Sequence, residues 1–319
     1  MSSIIKSLYK VSVIVPVYGV ERYIERCARS LFEQTLDSIE YVFINDCTPD
    51  DSIDILNKVL EDYPGRKAHV QIIEMPRNSG QAAVRNMGIS IVSGQYTIHC
   101  DSDDWIDRTM YEKMYIKAVT ANADVVVCDY YVSDQIIDKP SKAFPLCKQE
   151  RPQKLIDWHC AGQLWNKLYK TSICKKDSII LPQDNMGEDM ALVYQMAFYC
   201  KNVEYIPECL YHFFCNPTSI THDHSVDKMV RNYHQTCRNT MIVEKFYRGK
   251  GYTVEVAQSI ERIKNDERNK IVPLLKKDKK YHALWKNTFP EINLSVLLKR
   301  HFTLKDKIKF LLIYIRLFS

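Results

Sequence analysis

The chain has 319 residues, 46% of them apolar and only nine of them glycine, which is enough to bury a large core plus an added subdomain. That composition excludes a disordered, collagen-like or Gly/Ser-linked chain, and no repeat of solenoid or propeller period occurs. The formal net charge of +5 is split unevenly: residues 1–224 hold 23 Lys/Arg against 30 Asp/Glu, whereas residues 225–319 hold 21 against 9.

The opening "MSSIIKSLYKVSVIVPVYG" carries an apolar run too short and too β-branched for a secretion signal, and it leads straight into an expected core strand. "VSVIVPVY" (11–18) is a continuous β-branched run, the pattern of a strand covered on both faces. "ERYIERCARSLFEQT" then switches to helical spacing through Ile24, Cys27 and Leu31. The switch recurs. "IEYVFIND" (39–46) precedes a helix opened by "PDDS"; "HVQIIEMP" (69–76) precedes "SGQAAVRNMGISIV"; "QYTIHC" (95–100) precedes "DRTMYEKMYIKAV". A further strand is expected at "DVVVCDYYV" (124–132).

Strand and helix alternating four times predict an α/β fold with a mainly parallel sheet and right-handed crossovers. In such a sheet the residues just past each strand collect along one edge, where ligands bind. Tyr18, Asp46, residues 76–80 and the cluster Asp101, Ser102, Asp103, Asp104 are therefore expected in one crevice. After residue 150 the pattern becomes mixed, and from about 226 mostly helical. The expected division is a catalytic unit over 1–224, with halves at about 1–133 and 134–224, followed by a basic helical region over 225–319.

In "YTIHCDSDDWID" (96–107) three carboxylates fall within four residues at the end of a buried strand. They repel one another unless a cation or hydrogen-bond donors offset them. Oxygen-only ligands of this kind suit Mg²⁺ or Mn²⁺, which takes one or two protein carboxylates and fills its other positions with water and phosphate. The structural alternative is that Asp101 and Asp103 cap the following helix, but one cap needs one carboxylate. The other edge residues suit a nucleotide: Asp46 can accept from a base N–H, Tyr18 can pack against a base, and Arg77 and Arg85 flank a glycine that permits close backbone approach. Each also has a plain reading, Asp46 as a turn residue and Arg85 as a helix-face ion pair.

"VSVIVPVYGVERYIERCARSLFEQT", "INDCTPDDS", "RNSGQAAVRNMGI" and "GQYTIHCDSDDW", in this order and at these intervals, resemble the successive motifs of family-two glycosyltransferases with the GT-A fold, over residues 11–133. "LWNKLYKTSI" (164–173), "MGEDMALVYQM" (186–196) and "YHFFCNPTSIT" (211–221) resemble the second half of bacterial polysaccharide and surface-glycan members. The resemblance implies that Pro16, Val17 and Tyr18 shape the nucleobase site, that Asp46 contacts uracil and that Arg85 lies near the nucleotide. It further implies that Asp101 and Asp103, with Ser102 between them and Asp104 adjacent, form the D-x-D element that faces ribose and a metal-bound diphosphate. Asp189 would be the general base, with Glu188 the second candidate; read from the residues alone, both are first-turn acids complementing a helix dipole. Gly19, Asn45 and "CTPD" depart from the residues most common in the family.

The implied chemistry is a single displacement that inverts the anomeric carbon. It uses a nucleotide-diphosphate sugar, a glycan or lipid-linked acceptor, and Mn²⁺ or Mg²⁺ held by Asp103 and Asp101. Trp105, Trp165 and Tyr211 either pack on sugar faces or belong to the core, and Asn166 and Lys167 read as structural supports. Cys215, His222 and His224 offer a weak signal for a histidine completing the metal site. Two other classes remain open: sugar-phosphate nucleotidyl transfer, which usually shows a glycine-rich basic loop where "PVYGVERY" stands, and RNA binding by the basic tail, which lacks an aromatic-basic recognition motif. No nucleic-acid partner is expected.

The eleven cysteines are odd in number and never spaced C-x-x-C, so no disulfide framework or zinc knuckle is readable and a reducing cytosol is expected. No run approaches membrane-spanning length. In "TLKDKIKFLLIYIRLFS", Leu304, Ile308, Leu311, Leu312, Ile315 and Phe318 share a helical face while Lys305, Lys309 and Arg316 lie elsewhere. Such a segment either packs onto the protein or lies at an anionic membrane surface, which would make the protein peripheral at the inner face of the cell membrane.

Overall fold

The computed structural model describes residues 9–134, 137–143, 162–216, 225–251 and 253–315. Strand β1 (Val11–Val17) is the buried run expected from its β-branched residues, and it pairs in parallel with β2 (Ile39–Asn45) and β4 (Tyr96–His99). β3 (Val70–Glu74) extends the parallel set beside β2. The side-chain alternation of a strand then sorts the core into two layers. Val13, Val15 and Val17 point into a cluster with Ile24, Leu31 and Phe32 of α1 (Ile24–Phe32), Leu56 of α2 (Ser52–Glu61) and Met114 of α4 (Met110–Thr120). Ile14 points the other way, against Val84 and Ile89 of α3 (Gln81–Ile91). Each large side chain buried like Leu31 contributes roughly 1.5–3 kcal/mol.

Beyond β4 the sheet becomes mixed. The expected strand at 124–132 is present as β6 (Val125–Ser133), but it does not sit beside β4. A four-residue strand, β8 (Lys167–Lys170), lies between them, antiparallel to both. β9 (Val203–Phe214) runs parallel to β6 through register shifts at Cys128–Tyr130, and the two-residue β5 (Trp105–Ile106) pairs antiparallel with its end. β7 (Asp138–Ser141) pairs with the last residues of β6. The sheet order is β3-β2-β1-β4-β8-β6-β9-β5.

α5 (Thr171–Cys174) follows β8, and α6 (Glu188–Ala197) covers the α3 side of the sheet. Two long helices, α7 (Val226–Arg248) and α8 (Val254–Asn269), add Val243, Phe246, Val256 and Ile260 to that same core. The last elements, α9 (Lys279–Asn287), α10 (Asn293–Leu298) and α11 (Leu304–Tyr314), close a third core around Trp285, Val296, Phe310 and Ile313. The buried Arg268 guanidinium stacks there on Trp285 at 4.5 Å and Phe310 at 5.2 Å and donates to the side-chain amides of Asn293 at 2.6 Å and Asn265 at 3.1 Å. Every described cysteine is a free thiol.

Candidate active site

The C-terminal ends of the parallel strands supply the first wall. Val17 is buried and Pro16 half-buried, while Tyr18, 48% exposed, lies just past the end of β1. The Asp46 amide donates to the Val17 carbonyl at 3.0 Å, which extends the β1–β2 pairing to the crevice edge. Its carboxylate is buried: Oδ1 accepts from the Ser79 amide at 2.7 Å and Oδ2 from the Gly80 amide at 2.8 Å. Asp46 thus fixes the loop that opens α3, a backbone role that sequence did not predict for it. Gly80 has φ +84°, and a Cβ there would overlap the Asn185 side chain, whose Oδ1 accepts from the Ala82 amide at 3.1 Å.

The acidic turn between β4 and β5 divides its carboxylates by direction. Asp104 faces inward and is wholly buried, accepting from the Tyr211 hydroxyl at 2.6 Å and the Phe214 amide at 2.7 Å. Burial, reinforced by Asp103 and Asp101, pushes its carboxyl well above the ordinary range. Its two oxygens anchor the turn to β9, so Asp104 supports the turn from inside. Asp101 and Asp103 are partly exposed, Ser102 is buried between them, and the Asp101 amide donates to the Tyr211 hydroxyl at 3.1 Å. Asn216 donates to Asp103 Oδ2 at 2.9 Å; burial nevertheless raises the Asp103 carboxyl. Arg26 donates to the Asp103 carbonyl at 3.0 Å while its guanidinium lies 3.7 Å over Trp105. Trp105 stacks on His212 at 4.9 Å, and His212 on Tyr131 at 4.9 Å.

The second acidic site meets the first through Arg85. This guanidinium, buried inside α3, donates to Asp101 Oδ1 at 2.7 Å and to Glu188 Oε1 at 3.3 Å, with His99 Nδ1 at 3.3 Å. Burial opposes its charge, but Asp101, Glu188 and Asp189 outweigh that and hold it firmly protonated. Burial and then Arg85 depress His99, leaving a neutral imidazole able to accept from the guanidinium. Burial pushes Glu188 up to about 8, reinforced by Asp189 and opposed by Arg85. Asp189 is also raised by burial, against the pull of Arg85, but it is less enclosed than Glu188; its Oδ1 accepts from the Met190 amide at 2.7 Å.

The loop that leads into this pair turns through Gly187 at φ +79° and is gripped from α7. Asn239 donates to the carbonyls of Asp184 at 3.0 Å and Met186 at 2.9 Å, Arg238 makes a two-pronged pair with Asp184 at 2.6 and 2.8 Å, and Gln235 accepts from the Met186 amide at 3.1 Å. None of these α7 residues carries a sequence signal for the site; their polar spacing reads as an ordinary helix surface. Arg26 and Asn185 were equally silent.

Trp165 and Tyr211 are buried and stacked on each other at 4.3 Å, so they pack the core, and Trp105 is taken up by Arg26 and His212. Asn166 donates to the Cys128 carbonyl at 3.0 Å and Lys167 to Asn166 Oδ1 at 2.8 Å, both inside the sheet. His222 and His224 lie outside the described residues. Among the described residues no group of three or more His, Cys, Asp or Glu side chains is arranged as a metal cage. Asp101 and Asp103 each keep one carboxylate oxygen outside the bonds above, the one or two protein ligands that a phosphate-bound Mg²⁺ or Mn²⁺ requires.

A mostly parallel sheet flanked by helices, with further helices after it, is the architecture of the GT-A fold. The chain belongs to glycosyl transferase family 2, whose family model matches residues 12–175. It is 31% identical over 222 residues to the uncharacterized glycosyltransferase EpsJ of Bacillus subtilis, covering 66% of this chain and 62% of that one. With the glycosyltransferase GlyA of Streptococcus pneumoniae it shares 29% identity over 215 residues, 63% of this chain and 30% of that one. The chain thus spans less than two thirds of the length of these relatives. Among solved structures, S. aureus TarS in complex with UDP-GlcNAc superposes with a TM-score of 0.60 at 16% identity, covering 94% of this chain and 89% of that one. The mannosyltransferase PcManGT from Pyrobaculum calidifontis, in complex with GDP-Man and Mn²⁺, gives 0.53 at 13% identity, covering 95% and 85%. At these identities the likeness is one of fold.

Proposed function

We propose that this chain is an inverting glycosyltransferase that moves a sugar from a nucleotide-diphosphate donor, by preference a UDP-sugar, to a hydroxyl of a glycan or lipid-linked oligosaccharide. The setting would be assembly of a bacterial polysaccharide or surface glycan at the inner face of the membrane. One observation carries the reading: the buried Arg85 guanidinium joins Asp101, at the donor edge, to Glu188, beside Asp189. That shared guanidinium supports the reading, because a single displacement needs a donor-side and an acceptor-side acid close together.

Tyr18 and the loop held by Asp46 receive the nucleobase, and Asp101, Ser102 and Asp103 face the ribose and diphosphate. A divalent cation, Mg²⁺ or Mn²⁺, would be held by Asp103 and Asp101 and would neutralise charge on the departing diphosphate. Asp189 takes the proton of the acceptor hydroxyl. Its raised pKa makes it a stronger base than an exposed aspartate, and general-base catalysis of this kind supplies roughly 10²–10⁴-fold. Glu188 suits that role less, being enclosed and bonded to Arg85.

The test is a panel of nucleotide sugars with and without Mn²⁺, scored for donor binding and transfer. Asp103→Ala is expected to lose metal-dependent donor binding, whereas Asp189→Ala keeps binding and loses transfer. Equal donor binding by wild type and Asp103→Ala, with or without metal, contradicts the assignment of the acidic turn.

A further inference from the structure

The last two helices bury one side and leave an apolar stripe on the other. On α11, Phe310 and Ile313 enter the third core, Phe310 packing on Trp285 at 5.5 Å. At about 100° per residue, Leu304, Ile308, Leu311 and Ile315 fall together on the side opposite Ile313. They are 73%, 49%, 45% and 58% exposed. α10 repeats the pattern, with Val296 buried and Leu294 and Leu298 outside at 70% and 75%. Leu298, Leu304 and Leu294 are the three most exposed large apolar side chains among the described residues. The packing of α11 onto the protein is therefore accomplished without the stripe.

Basic side chains border the stripe. Lys305 and Lys307 fall on its two flanks, and Arg300 is exposed at the turn between the helices beside Lys299, which is ion-paired with Glu261 at 2.7 Å. The one acid of α11, Asp306, is occupied in a capping box with Thr303. A second copy of this chain seated on the same face would bring two basic rims together, because a two-fold contact pairs a patch with itself. An anionic bilayer instead matches both features: leucine and isoleucine enter the acyl boundary while the lysines reach the headgroup phosphates. No helix among the described residues is long and apolar enough to cross a membrane, so the contact is with the surface.

We propose that the exposed face of α10 and α11 is a docking surface for an anionic lipid bilayer, with α11 lying in the plane of the headgroups. The proposal rests on the glycan-assembly reading only for its purpose, since docking is measured without donor or acceptor.

Co-sedimentation of the full chain is compared between vesicles of phosphatidylcholine alone and vesicles containing about one third phosphatidylglycerol. Binding to the anionic vesicles is expected to be about tenfold or more tighter and to weaken with salt. Ile308→Glu/Leu311→Glu and, separately, Lys305→Glu/Lys307→Glu are each expected to lower it about tenfold, with unfolding midpoints and nucleotide-sugar binding unchanged. Absence of binding to anionic vesicles, or binding that neither double variant weakens, overturns the proposal. So does a wild-type dimer in sedimentation equilibrium that Ile308→Glu/Leu311→Glu dissolves, which would give the face to a second copy. Failure of docking with transfer intact, or the reverse, separates this proposal from the catalytic one.

Discussion

The Tyr211 hydroxyl donates to Asp104 Oδ2 at 2.6 Å and in the same position accepts from the Asp101 amide at 3.1 Å, so one phenol of β9 fixes both ends of the acidic turn. Tyr211→Phe keeps the ring stack on Trp165 but leaves buried Asp104 with the Phe214 amide as its remaining donor. The expected cost is about 1–3 kcal/mol, the penalty for an under-satisfied buried polar group. Donor affinity should fall with it, because Asp101 and Asp103 ride on the loosened turn. Urea unfolding and nucleotide-sugar titration check both; wild-type stability in Tyr211→Phe would mean that the phenol carries no load.

Glu188 sets a pH dependence of stability. Its carboxyl is near 4.5 when unfolded and about 8 when folded, so between those values the folded chain holds a proton that the unfolded chain has released. The associated stability is fully present below 4.5 and is lost as pH rises toward and through 8. Wild type should therefore lose stability relative to Glu188→Gln over that window, and the two should run parallel below it. Denaturation midpoints of both proteins across the range decide the matter; a constant difference between them would assign the proton elsewhere.

The sequence made some of this legible and not the rest, for a physical reason. β1 to β4 are readable because "VSVIVPV" and its counterparts are local patterns whose burial needs no partner to be named, and the gathering of their C-terminal ends along one edge follows from strand direction alone. β8 and β5, four and two residues long, are too short for any periodicity, so the antiparallel insertion between β4 and β6 was not foreseeable. The three aspartates of the turn look alike in sequence; that Asp104 faces inward depends on Tyr211, 107 positions away. The resemblance implies a place for Arg85 near the nucleotide, yet its link to Glu188 joins residues 103 apart. The stripe on α11 was visible, but its exposure depends on Phe310 and Ile313 taking the core side.

The grip of α7 on the loop before α6 predicts a split between two neighbours. Arg238 pairs with Asp184 at an exposed site, so Arg238→Ala should cost no more than about 1 kcal/mol. Asn239 is fully buried and holds two carbonyls of the loop, so Asn239→Ala should cost about 1–3 kcal/mol. Because that loop leads into the first turn of α6, where Asp189 lies, Asn239→Ala should lower kcat by more than it changes KM for the donor. A change confined to the donor KM would place the effect on the other wall of the crevice.

Gly80 tests whether the opening of α3 is built for close approach. Its backbone, at φ +84° and ψ 164°, lies in a region essentially reserved for glycine, so any side chain there is strained by about 1–3 kcal/mol. Gly80→Ala adds an overlap with the Asn185 amide and pulls on the two amides that Asp46 holds. Stability and nucleotide affinity should both fall. Asn185→Ala on the same background removes the overlap but leaves the backbone strain and forfeits the bond to the Ala82 amide. The double variant should therefore recover little nucleotide affinity; full recovery would mean that the amide collision, and not the conformation of residue 80, governs the loop.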